Sequence, residues 1–249
     1  GVGFDEARWN RHTVVGTSEA LEKDYLRLTT APAPESVRPA RVLGRAFAHV
    51  TAEHAAGRRE YGWATGQLKS IRQDLTVQRI RSPLTVRVYE GHARLALRAS
   101  DKPEFGQCLE QLQGLYAEMP GTGAVAEFTA YRLLYAQVHP VQGKFERQVA
   151  ALAGQPGLMA APAVSHALAV LRASQALDWR SLLRLLDASP GLSRDVMELV
   201  SDRVRTVALA DIARCFKPNL DAAFAARILA LDLPALRTFV ADHPESARN

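Results

Sequence analysis

From Val42 onward apolar residues recur at steps of three or four, and no stretch alternates with the period of two that a half-buried strand requires. That regularity excludes a sheet-based fold and leaves helices. Tyr61, Ala64, Leu68, Ile71 and Leu75 form one stripe. Beyond Pro83, Val88, Tyr89, His92 and Ala96 form a second. Phe105, Cys108, Leu109, Leu112, Leu115 and Tyr116 form the sharpest one. This third helix opens on Asp101-Lys-Pro-Glu104, an N-cap aspartate with proline in the first turn and a glutamate three residues on, the pattern of a capping box.

Further helices are expected over 124–138, 144–153, 162–177, 179–188, 193–216, 221–230 and 234–241. The breaks between them are short and rich in glycine and proline: PGTG, HPVQG, GQPG, ASPG and KPN. Short links force consecutive helices to run antiparallel, which gives a bundle or an α-solenoid. The pair 84–99 and 102–118 has the size of one tetratricopeptide-like unit. Ahead of this body, TTAPAPESVRPAR (29–41) places Pro32, Pro34 and Pro39 close together, so the chain there is extended.

A chain of 249 residues, 47% hydrophobic and 23% charged, can bury a full core and is far from the disordered regime. No apolar run approaches the ~18–20 residues of a membrane span. GVGFDEARWN has no apolar signal-peptide core and no initiator Met, so the sequence is expected to be a piece of a longer polypeptide. Cys108 and Cys215, far apart in apolar helical patterns, point to a reducing compartment rather than a disulfide framework.

Charge is localised. Between Lys69 and Arg98 stand seven basic residues (Lys69, Arg72, Arg79, Arg81, Arg87, Arg94, Arg98) against Asp74 and Glu90, a net +5 that equals the +5 of the whole chain. On an ideal helix Lys69, Arg72 and Arg79 share an arc of about 80°, bordering the stripe of Leu68, Ile71 and Leu75. Such an edge can follow a phosphate backbone or meet an acidic partner. Equally, Arg72 and Arg79 can pair with internal acids such as Asp74 or with carbonyls of neighbouring helices. With Tyr89 its single aromatic residue, this segment shows no aromatic interleaving, so it does not read as a base-stacking platform.

Motifs for catalysis fail on spacing. Gly121-Thr-Gly-Ala-Val-Ala126 has the letters of a dinucleotide fingerprint, but an amphipathic helix precedes it where that motif needs a strand. His49-Val-Thr-Ala-Glu53-His54 has one residue too many for a zinc-protease helix. No Cys/His cluster has metal-ligand spacing, no serine sits in a G-x-S-x-G elbow, and His92 and His166 lie on apolar faces. No catalytic residue, cofactor or metal is expected.

Several stretches resemble the SAC/GANP family: VVGTSEALEKDYLRLTTAPAPESVRP (14–39), QLKSIRQDLTVQRIR (67–81), VYEGHARLAL (88–97), EFGQCLEQLQGLY (104–116), EFTAYRLLY (127–135) and DRVRTVALADIARCFKPNL (202–220). The resemblance runs over roughly 14–230 and is strongest to the leukocyte receptor cluster member 8 branch. It implies an all-α, PCI-type architecture of stacked helical hairpins ending in the helices of a truncated winged-helix region. The expected organisation is an extended or short-helix segment (1–41), a helical-repeat body (42–192) and winged-helix-like helices (193–249) without room for wing strands. It further implies a non-catalytic scaffold of nuclear mRNA biogenesis, coupling transcription or splicing to export. Expected partners are a second PCI-domain protein, a small acidic DSS/Sem-type subunit and RNA. A nuclear location is implied, with cytoplasmic presence left open. A PCI-type subunit of a proteasome-lid-like or translation-initiation assembly is the alternative. Lys69, Arg79, Arg81, Arg87, Arg94 and Arg98 are the candidate nucleic-acid contacts, and Arg72 and Asp74 the candidate structural ion-pair residues.

Overall fold

The computed structural model describes residues 13–136, 144–176, 178–216 and 219–244. Among them there is no strand; one 3-10 turn (Pro34–Ser36) and twelve α-helices account for the regular structure. The chain divides into two compact units, residues 1–125 and 126–249. That division falls at the start of a helix and carries no compositional signal.

In the first unit α1 (Ala40–Ala55), α2 (Tyr61–Val77), α3 (Pro83–Arg98) and α4 (Lys102–Glu118) each pack on the next, the successive pairing that short links dictate. Leu43, Ala46 and Val50 of α1, Ala64, Leu68, Ile71 and Leu75 of α2 and Val88 of α3 form one core cluster. The stripe read from the sequence on α2 is therefore the buried face of that helix.

Residues 13–33 form no helix. They run as an extended strap that makes hydrogen bonds to side chains of α2. The Gly16 N–H donates to Gln78 Oε1 (2.9 Å), the Lys23 N–H to Gln67 Oε1 (2.8 Å), and Gln73 Nε2 donates to the Leu26 carbonyl (2.9 Å). The strap also folds back on its own far end, Thr17 and Ser18 N–H groups donating to the Pro34 and Val37 carbonyls (2.9 Å each). A side chain at Gly16 would collide with the Val37 carbonyl, so this crossing requires glycine.

A buried ion pair pins the strap's end. Arg38, 0% exposed, donates from Nε to Asp74 Oδ2 (2.7 Å), and Asp74 is 1% exposed. Lys23 Nζ reaches the other carboxylate oxygen at 2.6 Å. The rest of the guanidinium is satisfied by Ser70 Oγ (2.8 Å) and the Leu21 carbonyl (3.2 Å). Charges this deep persist only when fully hydrogen-bonded, and here they are.

The second unit holds α5 (Val125–Tyr135), α6 (Lys144–Ala153), α7 (Pro156–Met159), α8 (Pro162–Gln175), α9 (Trp179–Asp187), α10 (Ser193–Cys215), α11 (Ala222–Ile228) and α12 (Leu233–Asp242). Helix α9 packs on both α8 and α10, and α11 on α12. Aspartate caps start several helices: Asp178, Asp221 and Asp232 accept from the backbone N–H three residues on (3.0, 2.7 and 2.7 Å), as Asp101 does at α4 (3.1 Å). Buried Arg205 on α10 binds Glu198 (2.9 Å), Ser201 Oγ (2.7 Å) and the Leu229 carbonyl (3.1 Å), tying α10 to the end of α11. Over residues 219–244 there are helices and connecting turns but no wing strand.

Replacing Asp74 with Ala leaves the Arg38 guanidinium buried without its counter-charge. The expected cost is about 3–5 kcal/mol. Urea denaturation checks the loss, and limited proteolysis should show the 13–39 strap cut first.

Candidate nucleic-acid interface

Six of the seven basic residues of 69–98 fall into two groups, and Arg79 belongs to neither. Lys69 and Arg72 turn inward on α2. Lys69 Nζ lies 2.8 Å from Glu104 Oε2, and Arg72 Nη2 lies 2.5 Å from Glu104 Oε1. The Arg72 guanidinium also stacks over the Tyr89 ring (5.2 Å to the centroid) and donates to Cys108 Sγ (3.0 Å). Arg72 and Asp74 thus each join a buried ion pair, but with different partners: Arg72 with Glu104 on α4, Asp74 with Arg38 and Lys23. The capping box is half formed for the same reason. Asp101 caps α4, while the Glu104 side chain turns into the core to meet the two cations instead of reaching back to the cap.

Arg79 does not share the helical arc expected for it. Helix α2 ends at Val77, and Arg79 sits beyond the cap at φ 52°. The Ile80 N–H donates to the Leu75 carbonyl (2.9 Å) and the Arg79 N–H to the Thr76 carbonyl (3.0 Å), the two bonds of a Schellman closure. This closure normally selects glycine, so a left-handed arginine there gives no warning in the sequence.

The outward group lies mainly on α3. Arg87, Arg94 and Arg98 fall within an arc of roughly 40° and span about 16 Å along the axis, at steps of seven and four residues. Arg87 and Arg98 are exposed, and neither makes an ion pair among the described residues. Arg94 is half-buried, with Nη2 3.7 Å from Glu90 Oε2. Arg81 extends the group at the foot of α3, held loosely by Glu118 at 3.7 Å with both side chains about half exposed (54% and 50%). A pair so exposed contributes little and yields readily to another anion.

Glu90 itself is buried and anchors the loop after α4. It accepts from the Tyr116 hydroxyl (2.7 Å) and the Ala124 N–H (2.6 Å). Gly123 takes a left-handed φ of 81° in this loop, and a Cβ would strike the Glu90 carboxylate. The PGTG glycines therefore serve a helix–helix turn, with α4 before them in place of a strand. His49 and His54 part company: His49 Nε2 meets Glu22 of the strap (2.8 Å), while His54 Nδ1 meets the Arg59 carbonyl (3.0 Å).

One cluster lies outside any spacing rule. His92, Glu104 and Cys108 bring possible ligand atoms within 4.8 Å of one another, all buried, from α3 and α4. Its chemistry does not suit a cation. Glu104 is already engaged by Lys69 and Arg72, and burial pushes the Cys108 thiol up to about 12, away from the thiolate a metal needs. His92 donates or accepts at Thr65 Oγ1 (2.8 Å), and burial together with Arg72 and Lys69 drives its pKa down to about 2. The imidazole stays neutral beside an internal ion pair.

The sequence matches the SAC3/GANP family over residues 11–244. The chain belongs to the SAC3/GANP family. It is 40% identical over 220 residues to a leukocyte receptor cluster member 8 homolog of Xenopus laevis, covering 88% of this chain and 27% of that protein. It is 39% identical over 226 residues to SAC3 family protein A of Arabidopsis thaliana, covering 90% and 22%. To a THP3 homolog of Schizosaccharomyces pombe it is 37% identical over 220 residues, covering 88% and 54%. The chain spans about a quarter of the frog and plant relatives and about half of the yeast one. The names of the family and of these relatives are not those of enzymes.

The depressed His92 pKa has a measurable consequence. Below about pH 6.5 the unfolded chain binds a proton at His92 that the folded chain refuses, so stability falls as pH falls. From pH 7 to 5 this amounts to about 2 kcal/mol. Unfolding free energies from urea titrations at the two pH values should differ less in His92→Gln than in the parent, by about that amount.

Proposed function

We propose that this chain is a non-catalytic helical scaffold of nuclear mRNA biogenesis, acting between transcription or splicing and export. The observation that supports it most is the outward arginine row of α3, set on a rigid hairpin whose inward cations are already neutralised. The SAC3/GANP membership supplies the biological setting. Arg81, Arg87, Arg94 and Arg98 are the proposed contacts to RNA phosphates. Lys69 is committed to Glu104 and contributes structure, and Arg79 lies beside the row at the end of α2. A second PCI-domain protein and a small acidic DSS/Sem-type subunit are the proposed protein partners, and the nucleus the proposed location.

Phosphate contacts made by exposed arginines release condensed counterions, so binding should weaken steeply with salt and show no sequence preference. Exchanging Arg87 and Arg98 for Glu removes two such contacts and adds repulsion, without touching the core. The expected result is a loss of at least tenfold in affinity for unrelated RNA sequences, with a shallower salt slope. Fluorescence anisotropy at several salt concentrations measures both. Affinity capture from nuclear extract, with and without nuclease, tests the wider role. Recovery of proteasome-lid or initiation-factor subunits without mRNA factors would replace it with the alternative assembly.

A further inference from the structure

The second unit contains a surface that the charge of 69–98 does not foreshadow. A groove of about 760 Å³ opens between α9 and the α11 region. Leu183, Ile228 and Leu231 contribute its apolar lining, and Arg180, Arg184 and Arg227 its cations. Two aromatic rings stand within it, each with an arginine guanidinium over it. The Arg180 guanidinium lies 5.3 Å from the Trp179 ring centroid, and that of Arg227 lies 5.6 Å from Phe224. Phe216, itself 43% exposed, extends the aromatic surface at 5.1 Å from Phe224.

Three features make this arrangement more than a solvated face. An exposed guanidinium over an aromatic ring keeps N–H donors with which it can grip a phosphate through two parallel bonds. Among the described residues none of the three arginines has a carboxylate partner, whereas the one acidic lining residue, Asp187, lies 3.6 Å from Arg194. Finally, the Trp179 indole is held in place, since its Nε1–H donates to Asp211 Oδ2 (3.0 Å). The groove therefore combines a fixed indole, a phenyl pair and three guanidinium groups without a carboxylate partner among the described residues, Arg184 donating to Ser181 Oγ (3.1 Å).

We propose that this groove binds single-stranded nucleic acid, bases lying against the aromatic and aliphatic surface and phosphates on Arg180, Arg184 and Arg227. The ligand class rests on the RNA-scaffold reading above, but the site is separate and of a different kind. The α3 row is a bare phosphate track without aromatics; the groove adds stacking, which favours unpaired strands over duplex. An acidic peptide could satisfy the cations. It would leave the Trp179 and Phe224 rings without a planar partner, and the nucleic acid is the better fit.

The test uses the full chain and a fluorescein-labelled 15-residue oligouridine, read by anisotropy over a salt series. Three variants are compared with the parent: R180Q with R227Q in the groove, the charge-keeping R180K with R227K, and R87Q with R98Q on α3. The groove pair should weaken oligouridine binding on the order of tenfold and lower the salt slope by about 1.4. The lysine pair should recover the slope but not the full affinity, because a point charge neither stacks nor forks as arginine does. Circular dichroism should be unchanged, since all the substituted side chains are exposed. Parent-like affinity in the groove pair, with loss in the α3 pair, overturns the groove and leaves the scaffold reading intact. Absence of oligouridine binding by the parent overturns both. Saturable binding of a Glu/Leu peptide that the groove pair abolishes, with oligouridine unaffected, assigns the groove to a protein partner and also overturns the inference.

Discussion

A guanidinium and a carboxylate with no access to water hold the first unit in order. Arg38 and Asp74 meet at 2.7 Å where the extended strap gives way to α1 and where α2 turns its polar edge inward. Around that pair the strap finds its hydrogen bonds on Gln67, Gln73 and Gln78 of α2, so twenty residues without helix of their own remain ordered. The ion pair is unsuited to a role in binding because nothing outside the protein reaches it. Its role is to let one helix carry both a hydrophobic stripe and a docking edge for its own N-terminal segment.

The same logic explains why the net +5 of 69–98 overstates the charge available to a partner. Glu104 takes up Lys69 and Arg72, and Arg72 is further spread over Tyr89 and Cys108. A half-buried lysine and a buried arginine sharing one carboxylate is a tight arrangement, tolerated because hydrogen bonds, the Cys108 thiol and ring contact disperse the charge on Arg72. Neutral His92 beside them follows directly, since a third positive charge could not be held there. What remains open to solvent is Arg87 and Arg98 on α3 and their loosely held neighbour Arg81, and this smaller set is where an anionic partner can act.

Much of this was legible in the sequence. The apolar stripes located the helices of the first unit, and Asp101 was recognisable as a cap from its place before Lys-Pro-Glu. The reading failed where closure used a non-glycine residue in the left-handed region: Arg79 lies beyond the end of its helix, and the helix expected to reach Ala230 stops at Ile228. The strap's partners could not be read, because Arg38 and Asp74 are 36 residues apart and neither residue type announces burial. Glu104 misled in a different way, since its spacing from Asp101 fits a capping box while its side chain answers a stronger demand from α2. The aromatic and arginine groove was invisible for a plainer reason: its walls come from residues 179–187 and 224–231, and only the fold brings them together.

Arginine footprinting with a dicarbonyl reagent, read by peptide mass spectrometry with and without bound RNA, tests the division between inward and outward charge most directly. Arg38 and Arg72 should resist modification in both states, while Arg87 and Arg98 should react quickly in the free protein and be protected by RNA. Rapid modification of Arg72 in the folded chain, or Arg87 and Arg98 reacting equally with and without RNA, would contradict it.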